Sequence, residues 1–280
     1  MKPGLTDKDL RLTHEYMLTA AECDARGTIS PALMTERIIE VATQHANLLG
    51  IGYTDLSQHG IGWVLSRMAL SMQRWPRFNH SFALHTWIED VNRLYSTRCM
   101  RITGEDGNTI GEARTIWAAI NTADRTPADI SVLGLDSLIV GADGITVPRP
   151  GRIPPCPPED IHTSYTWRYS DIDINRHVNS VRYIETMLDI WPLEHYDTHR
   201  IAQLDIIYQH ECLYGQTVDV AAHDVAVTAR DIAAIAAQDN GITAHDTPQA
   251  DTAAPTQASD VELLREGKRV CAAHIVWKKG

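Results

Sequence analysis

The stretch with the densest chemical potential is Asp171-Ile-Asp-Ile-Asn-Arg-His-Val-Asn-Ser180, which runs on into Val181-Arg-Tyr-Ile-Glu-Thr-Met-Leu-Asp-Ile-Trp191. Asp173, Asn175, His177 and Asn179 crowd the first part. In the second, Val181, Ile184, Leu188 and Trp191 recur at helical spacing, one apolar stripe of a 3.6-residue period. Asn179 is the expected N-cap, its side-chain oxygen accepting an orphan backbone N–H. A polar loop thus brings an imidazole and an amide to the positive end of a helix, where unpaired amides favour the negative charge that develops on an attacked carbonyl. Asx-rich loops before helices are also ordinary caps and turns, so this loop alone does not establish chemistry.

A second group-bearing stretch follows in Leu204-Asp-Ile-Ile-Tyr-Gln-His-Glu-Cys212. Read as a strand over 201–211, it alternates its side chains between two faces. Asp205, Gln209 and Glu211 share one face and Tyr208, His210 and Cys212 the other, so Glu211 and Cys212 do not point at one site. The bland readings are a solvated carboxylate for Glu211 and a small core residue for Cys212.

The elements that position these groups occur twice. The first half reads as a strand over 11–20, a turn at Glu22–Gly27, and a helix begun by Ser30 as cap with Pro31 at its first position. Strands are expected over 63–72, 81–89, 96–104 and 109–121, with Glu105-Asp-Gly-Asn108 as a hairpin turn. The second half repeats the order with strands over 163–169, 201–211 and 269–277. Asp24 falls on Asp173 and Ser30 on Asn179 at an offset of 149, Trp75 on Glu211 at 136, and Gly107 and Trp117 on Gly267 and Trp277 at 160. The rise from 136 to 160 is an insertion of 24 residues. This is a duplicated helix-plus-sheet unit, an α+β fold. The copies differ in chemistry: Arg26 stands at the position of Asn175, Thr28 at His177, and Trp75-Pro76 at Glu211-Cys212. The second half carries the polar set and the first only the shape.

Six prolines between 148 and 158 mark a semi-rigid linker. The expected units are 1–135 and 161–280, joined by 136–160. Residues 221–262 hold seven acidic residues against Arg230 alone, and about 238–259 reads as a disordered, acidic Ala/Thr-rich insertion. The chain of 280 residues is 44% hydrophobic with net charge −11, enough for a core and unlike a nucleic-acid footprint. Five scattered cysteines without a Cys-x-x-Cys pair argue against disulfides and zinc and fit a reducing cytoplasm. The polar N-terminus lacks a signal-peptide core, no apolar run approaches a membrane span, and no cofactor or metal is expected.

Asp173–Ile184, followed by Tyr208–Cys212, resembles the acyl-acyl carrier protein thioesterases of plants and bacteria. Trp63–Arg67, Thr86-Trp87 and Ala113–Trp117 are similar to that family's N-terminal domain. The resemblance implies a tandem (double) hotdog, each unit a curved antiparallel sheet wrapped around a central helix. It implies hydrolysis of fatty acyl-ACP to free fatty acid, ending chain elongation, with the acyl carrier protein as partner; a homodimer stays open. Plant members carry a plastid transit peptide; without a recognisable one here, a bacterial cytoplasmic protein is the expectation.

On this reading Asn175 orients substrate or water, His177 donates to the carbonyl or leaving thiolate, Glu211 is the base for water and Asp173 orients its neighbours. The rival scheme makes Cys212 the nucleophile with His177 as its base. An acyl-CoA thioesterase or a non-catalytic acyl-binding module are the alternative functions. Met34, Ile38, Met68, Leu70 and Met72 are the candidate acyl-chain contacts. Arg168, Arg176, Arg182 and Arg200 are the candidate contacts for the acidic carrier.

Overall fold

The computed structural model describes residues 6, 8–239 and 254–280. Ten antiparallel strands form one sheet in the order β1-β3-β4-β5-β2-β7-β10-β9-β8-β6. The first half contributes β1 (Arg11–Met17), helix α1 (Pro31–Leu49), a short helix α2 (Tyr53–Ser57), β2 (Ile61–Met72), β3 (Ser81–Val91), β4 (Tyr95–Gly104) and β5 (Thr109–Asn121). The second contributes β6 (Ile161–Thr166), α3 (Ser180–Leu188), α4 (Leu193–Thr198), β7 (His199–Tyr208), β8 (Thr217–Val225), α5 (Ala229–Asp239), β9 (Pro255–Arg265) and β10 (Lys268–Lys279). Read from its outer edge inward, each half has the same strand order. The halves meet where β2 pairs with β7, from Arg67 opposite Ile207 to Ser71 opposite Gln203. This is the expected double hotdog. Among the described residues no helix is long and apolar enough to cross a membrane.

The helices begin where their caps direct. Ser30 Oγ accepts from the Leu33 N–H at 3.1 Å, Pro31 opens α1, and Gly50 ends it at φ 73°. Asn179 Oδ1 accepts from the Val181 N–H at 3.2 Å. Met34, Ile38 and Val41 of α1 and Val181, Ile184 and Leu188 of α3 are buried in the main core. Helix α3 is shorter than its apolar stripe. It stops at Leu188, before Pro192, whose ring cannot continue it. Trp191 lies beyond the helix and packs edge-on against Trp277 at 5.0 Å.

Three sequence expectations need correction. The strand expected over 163–169 ends at Thr166, and Tyr169–Asp171 is a 3₁₀ turn. The strand expected over 201–211 ends at Tyr208. There Gln209 and His210 both donate to the Val270 carbonyl, at 2.9 and 3.1 Å, and this bulge breaks the alternation. Gln73 and Arg74 do the same to Ile110 in the first half, at 3.0 and 3.2 Å. Finally, the segment taken as disordered to Ser259 enters β9 at Pro255, where Ala258 and Ser259 are fully buried. At its other end Gln238 and Asp239 close helix α5, and the part of that reading over 240–253 lies outside the described residues.

The proline-rich connection is a packed strap. Ile145 and Val147 cover Ala69, Trp87 and Cys99. Glu112 accepts from the N–H groups of Thr146 and Val147, and Arg114 donates to the carbonyls of Ile145 and Val147. Ile153 and Cys156 are buried further along. Prolines suit this path because they demand no backbone N–H partner.

Candidate active site

The loop before α3 is built by one carboxylate. Asp173 Oδ1 accepts from the N–H groups of Asn175 and His177, at 2.8 and 3.1 Å, and the Asp173 N–H donates to the His177 carbonyl at 2.8 Å. Asn175 Nδ2 lies 3.4 Å from Asp173 Oδ2. Asp24 makes the same backbone contacts to Arg26 and Thr28 in the first half, each at 3.0 Å. Asp173 therefore shapes the loop in a way the fold requires twice, while Asn175 and His177 are what the second copy adds. The tight loop needs a left-handed residue. The first half supplies Gly27 at φ 72°, and the second supplies Arg176 at φ 66°. A side chain in that region costs on the order of 1–3 kcal/mol.

The segment after β7 closes on this loop. The Val178 N–H donates to the Cys212 carbonyl at 2.9 Å, and His177 and Leu213 form an antiparallel bridge. The Cys212 N–H donates to the Tyr183 hydroxyl at 2.9 Å, and Arg265 Nη1 donates to the Glu211 carbonyl at 2.7 Å. Burial pushes the Tyr183 phenol up, which keeps it a neutral hydroxyl at this contact. With its backbone held on these sides, Glu211 places Oε2 3.3 Å from His177 Nε2. Its other oxygen, Oε1, meets Arg125 Nη2.

The imidazole and carboxylate both reach solvent, with side-chain exposures of 30% and 42%. Cys212 does not: it is 0% exposed, in the main core. Strand alternation is not what separates Glu211 from Cys212, because the strand has already ended. The separation comes from the closure just described, which turns Glu211 to the loop and Cys212 inward.

In the first half the corresponding place is filled. Arg26 Nη1 donates to the carbonyls of Tyr196 and His199, and Trp75 Nε1 donates to the Ile201 carbonyl at 2.8 Å. One copy keeps an open polar site, and the other uses the same positions to bind the two halves together.

The structure brings together Asp173, Asn175, His177 and Glu211 and withholds the sulfur of Cys212. Met34 and Ile38 of α1 and Met68, Leu70 and Met72 of β2 are all buried in the main core. Of the four arginines, Arg176 lies within the loop, Arg168 precedes it with its N–H on Asp171, and Arg182 is ion-paired with Glu185. Arg200 does not border the site. It packs against Gly280 near the start of β7. Glu211 lies past the other end, about 26 Å away to Tyr208 alone at 3.3 Å per residue. Sequence reasoning missed Arg125, Tyr183 and Arg265. Arg125 carries one local signal, a left-handed φ of 64° in a non-glycine residue, which only the backbone reveals.

The acyl-ACP thioesterase N-terminal domain matches residues 9–132 and the acyl-ACP thioesterase C-terminal domain matches residues 157–279. The chain is 24% identical over 216 residues to the chloroplastic palmitoyl-acyl carrier protein thioesterase of Gossypium hirsutum, covering 72% of this chain and 52% of that protein. With the oleoyl-acyl carrier protein thioesterase 1 of Arabidopsis thaliana it shares 23% over 233 residues, 77% of this chain and 64% of that protein. This chain thus spans about half to two-thirds of the length of these relatives. Among solved structures, an acyl-ACP thioesterase from Bacteroides thetaiotaomicron superposes with a TM-score of 0.80 at 27% identity, covering 98% of this chain and 100% of that one. The 12:0-ACP thioesterase from Umbellularia californica shares the fold, with a TM-score of 0.76 at 17% identity over 97% and 95% of the two chains. Matched by both domains of the family, one in each half, this chain belongs to the acyl-ACP thioesterases.

Proposed function

We propose that the protein hydrolyses acyl thioesters of acyl carrier protein, releasing a free fatty acid and ending chain elongation. The observation that carries this reading is the His177–Glu211 pair, 3.3 Å apart beside the start of α3 and present in only one of two otherwise matching halves. Glu211 takes a proton from water as the oxygen attacks the thioester carbonyl. The amide of Asn175 and the positive end of α3 stabilise the resulting oxyanion. The proton passes from Glu211 Oε2 to His177 Nε2 across their 3.3 Å contact, and as the C–S bond breaks and the carbonyl reforms His177 gives it to the leaving thiolate. Asp173 holds the loop in which Asn175 and His177 sit. Water is preferred over Cys212 as nucleophile because His177 and Glu211 face solvent while the thiol is enclosed in the core.

Five free thiols support a reducing cytoplasmic setting, and the similarity to the Bacteroides protein supports a bacterial one. The halves 1–135 and 161–280 are read as a non-catalytic and a catalytic unit. Arg176 and Arg168 are read as the carrier-facing cations. The deciding assay compares turnover of acyl-ACP with acyl-CoA bearing the same acyl group. Preference for acyl-ACP is expected. Equal rates transfer the reading to acyl-CoA hydrolysis, and turnover of neither ends it.

A further inference from the structure

Helix α1 and the inner face of the first-half sheet do not pack as one apolar layer. His45, Thr86, Arg98 and Thr115 form a buried polar band. On one side lie Leu84, Met100 and Ala113 of the main core, and on the other Ala46, Ile88 and Ala119 of a smaller cluster. Arg98 is 4% exposed. Its Nη1 donates to His45 Nδ1 at 2.6 Å and lies 3.5 Å from Thr86 Oγ1. His45 Nε2 is 3.0 Å from the Asp9 carbonyl, which can only accept, so the ring proton sits on Nε2 and Nδ1 is the acceptor. His45 is therefore neutral. Burial, aided by the Arg98 charge, pushes it down to about 4. Burial lowers Arg98 to about 10, which leaves it a cation at neutral pH.

Among the described residues no carboxylate pairs with this cation. Arg114, on the neighbouring strand β5 and one residue from Thr115, which stands opposite Arg98, is met by Glu89 at 2.9 Å. A buried charge without a counter-ion costs several kcal/mol. Arg98 also forms part of the wall of a cleft of about 130 Å³ whose apolar sides are Ala46, Ile51, Trp63 and Trp117. A dry cavity near this size accepts a benzene-sized guest, so the cleft has room for about six carbons. The cleft shares an end of the sheet with the candidate active site. Ile61, two residues before Trp63, pairs with Asn121, whose carbonyl accepts from the N–H of Arg125, the partner of Glu211.

We propose that this cleft is a carboxylate site: a short chain lies between Trp63 and Trp117, and its carboxylate pairs with Arg98. The carboxylate could be the far end of the acyl group undergoing hydrolysis, or the head of a free short-chain acid. The first source rests on the hydrolase reading above; the second does not.

The test titrates hexanoate and 1-hexanol into the whole protein by calorimetry, for wild type, Arg98→Met and Arg98→Lys. Hexanoate is expected to bind saturably and hexanol roughly ten- to hundredfold more weakly, the worth of a charged hydrogen bond. Arg98→Met should erase the difference, and Arg98→Lys should retain part of it. Because the hexanoate–hexanol comparison stands on wild type alone, poor folding of a variant does not void the test. Equal affinity for the two ligands, no saturable binding, or unchanged preference in a folded Arg98→Met overturns the site. Hydrolysis of small soluble hexanoyl and adipoyl thioesters then separates the sources. A preference for adipoyl that vanishes in Arg98→Met assigns the acyl group's far end, whereas competitive inhibition by hexanoate without that preference assigns the free acid. Arg98-dependent hexanoate binding without any thioester turnover would leave the site standing and remove the hydrolase reading.

Discussion

Arg125, on the turn after β5 in the first half, sets its guanidinium on the carboxylate of Glu211 in the second. The contact crosses from one repeat to the other at the β2–β7 seam. It leaves one Glu211 oxygen for His177 and occupies the other, so the candidate base is held in one orientation. Arg125 holds a left-handed backbone, so Arg125→Gly removes the cation while relieving strain. The expected result is a fall in kcat of about 10- to 100-fold, the cost of a misplaced catalytic group, with thermal stability kept or raised. Unchanged kcat would make the contact a surface ion pair and no more.

His177→Ala and Glu211→Gln should each depress turnover by about 10²- to 10⁴-fold while circular dichroism and melting stay near wild type. Near-normal rates in both variants would remove the pair from the mechanism.

Cys212 lies in the core with its N–H on Tyr183. Cys212→Ala should retain substantial activity, and intact-protein mass spectrometry on a slow substrate should find no acylated enzyme. Cys212→Ser buries a hydroxyl and should cost roughly 1–3 kcal/mol of stability while leaving substantial activity. An acyl adduct on Cys212 would reverse the choice of nucleophile.

Arg176 occupies the position where the other half has Gly27. Arg176→Gly should raise stability by about 1 kcal/mol, the left-handed strain released less the extra chain entropy that glycine loses on folding. It should also lower kcat/KM for acyl-ACP at low salt, with little effect on a small soluble acyl thioester, because electrostatic docking acts on association and fades with ionic strength. Equal losses on both substrates would place the arginine in the chemistry instead of the docking.

His274 joins three elements: its Nδ1 is 2.6 Å from Asp260 of β9 and its Nε2 3.2 Å from Asp231 of α5. Burial alone would push this imidazole down. The hydrogen bond that the imidazole donates to Asp260 and the charges of Asp260, Asp231 and Asp205 outweigh it and hold the imidazole above its usual value. Arg230 of α5, which meets Asp205, is the nearby cation that tempers this field. A folded pKa above the unfolded one means that the stabilisation is full below about pH 6.5 and is lost as pH rises through the folded value. Chemical denaturation should therefore show His274→Gln most destabilised near pH 6, about half a unit below the unfolded pKa, with the gap to wild type narrowing toward alkaline pH. A gap independent of pH would show that the histidine contributes only packing.

Much of this molecule was legible in the chain because the forces involved are local. Ser30 and Asn179 cap their helices through side chains that reach only two or three residues ahead. The loops at Asp24 and Asp173 close within four residues, so a constant offset of 149 between them carries real geometry. Pairing of the repeats also pointed to the half that kept its polar groups. What the tertiary structure decided lies where distant segments meet. The pairing of β2 with β7 set Arg125 against Glu211, and no pattern near either residue encodes that contact. The bulge on Val270 ended β7 three residues before Glu211, where composition alone continued the strand. The closure of residues 211–213 on the His177 loop turned Cys212 inward. The strap over 145–156 and the buried strand end at 255–259 read as linker and disorder because prolines and small polar residues carry no apolar periodicity. Their burial comes from the sheet surface they cover.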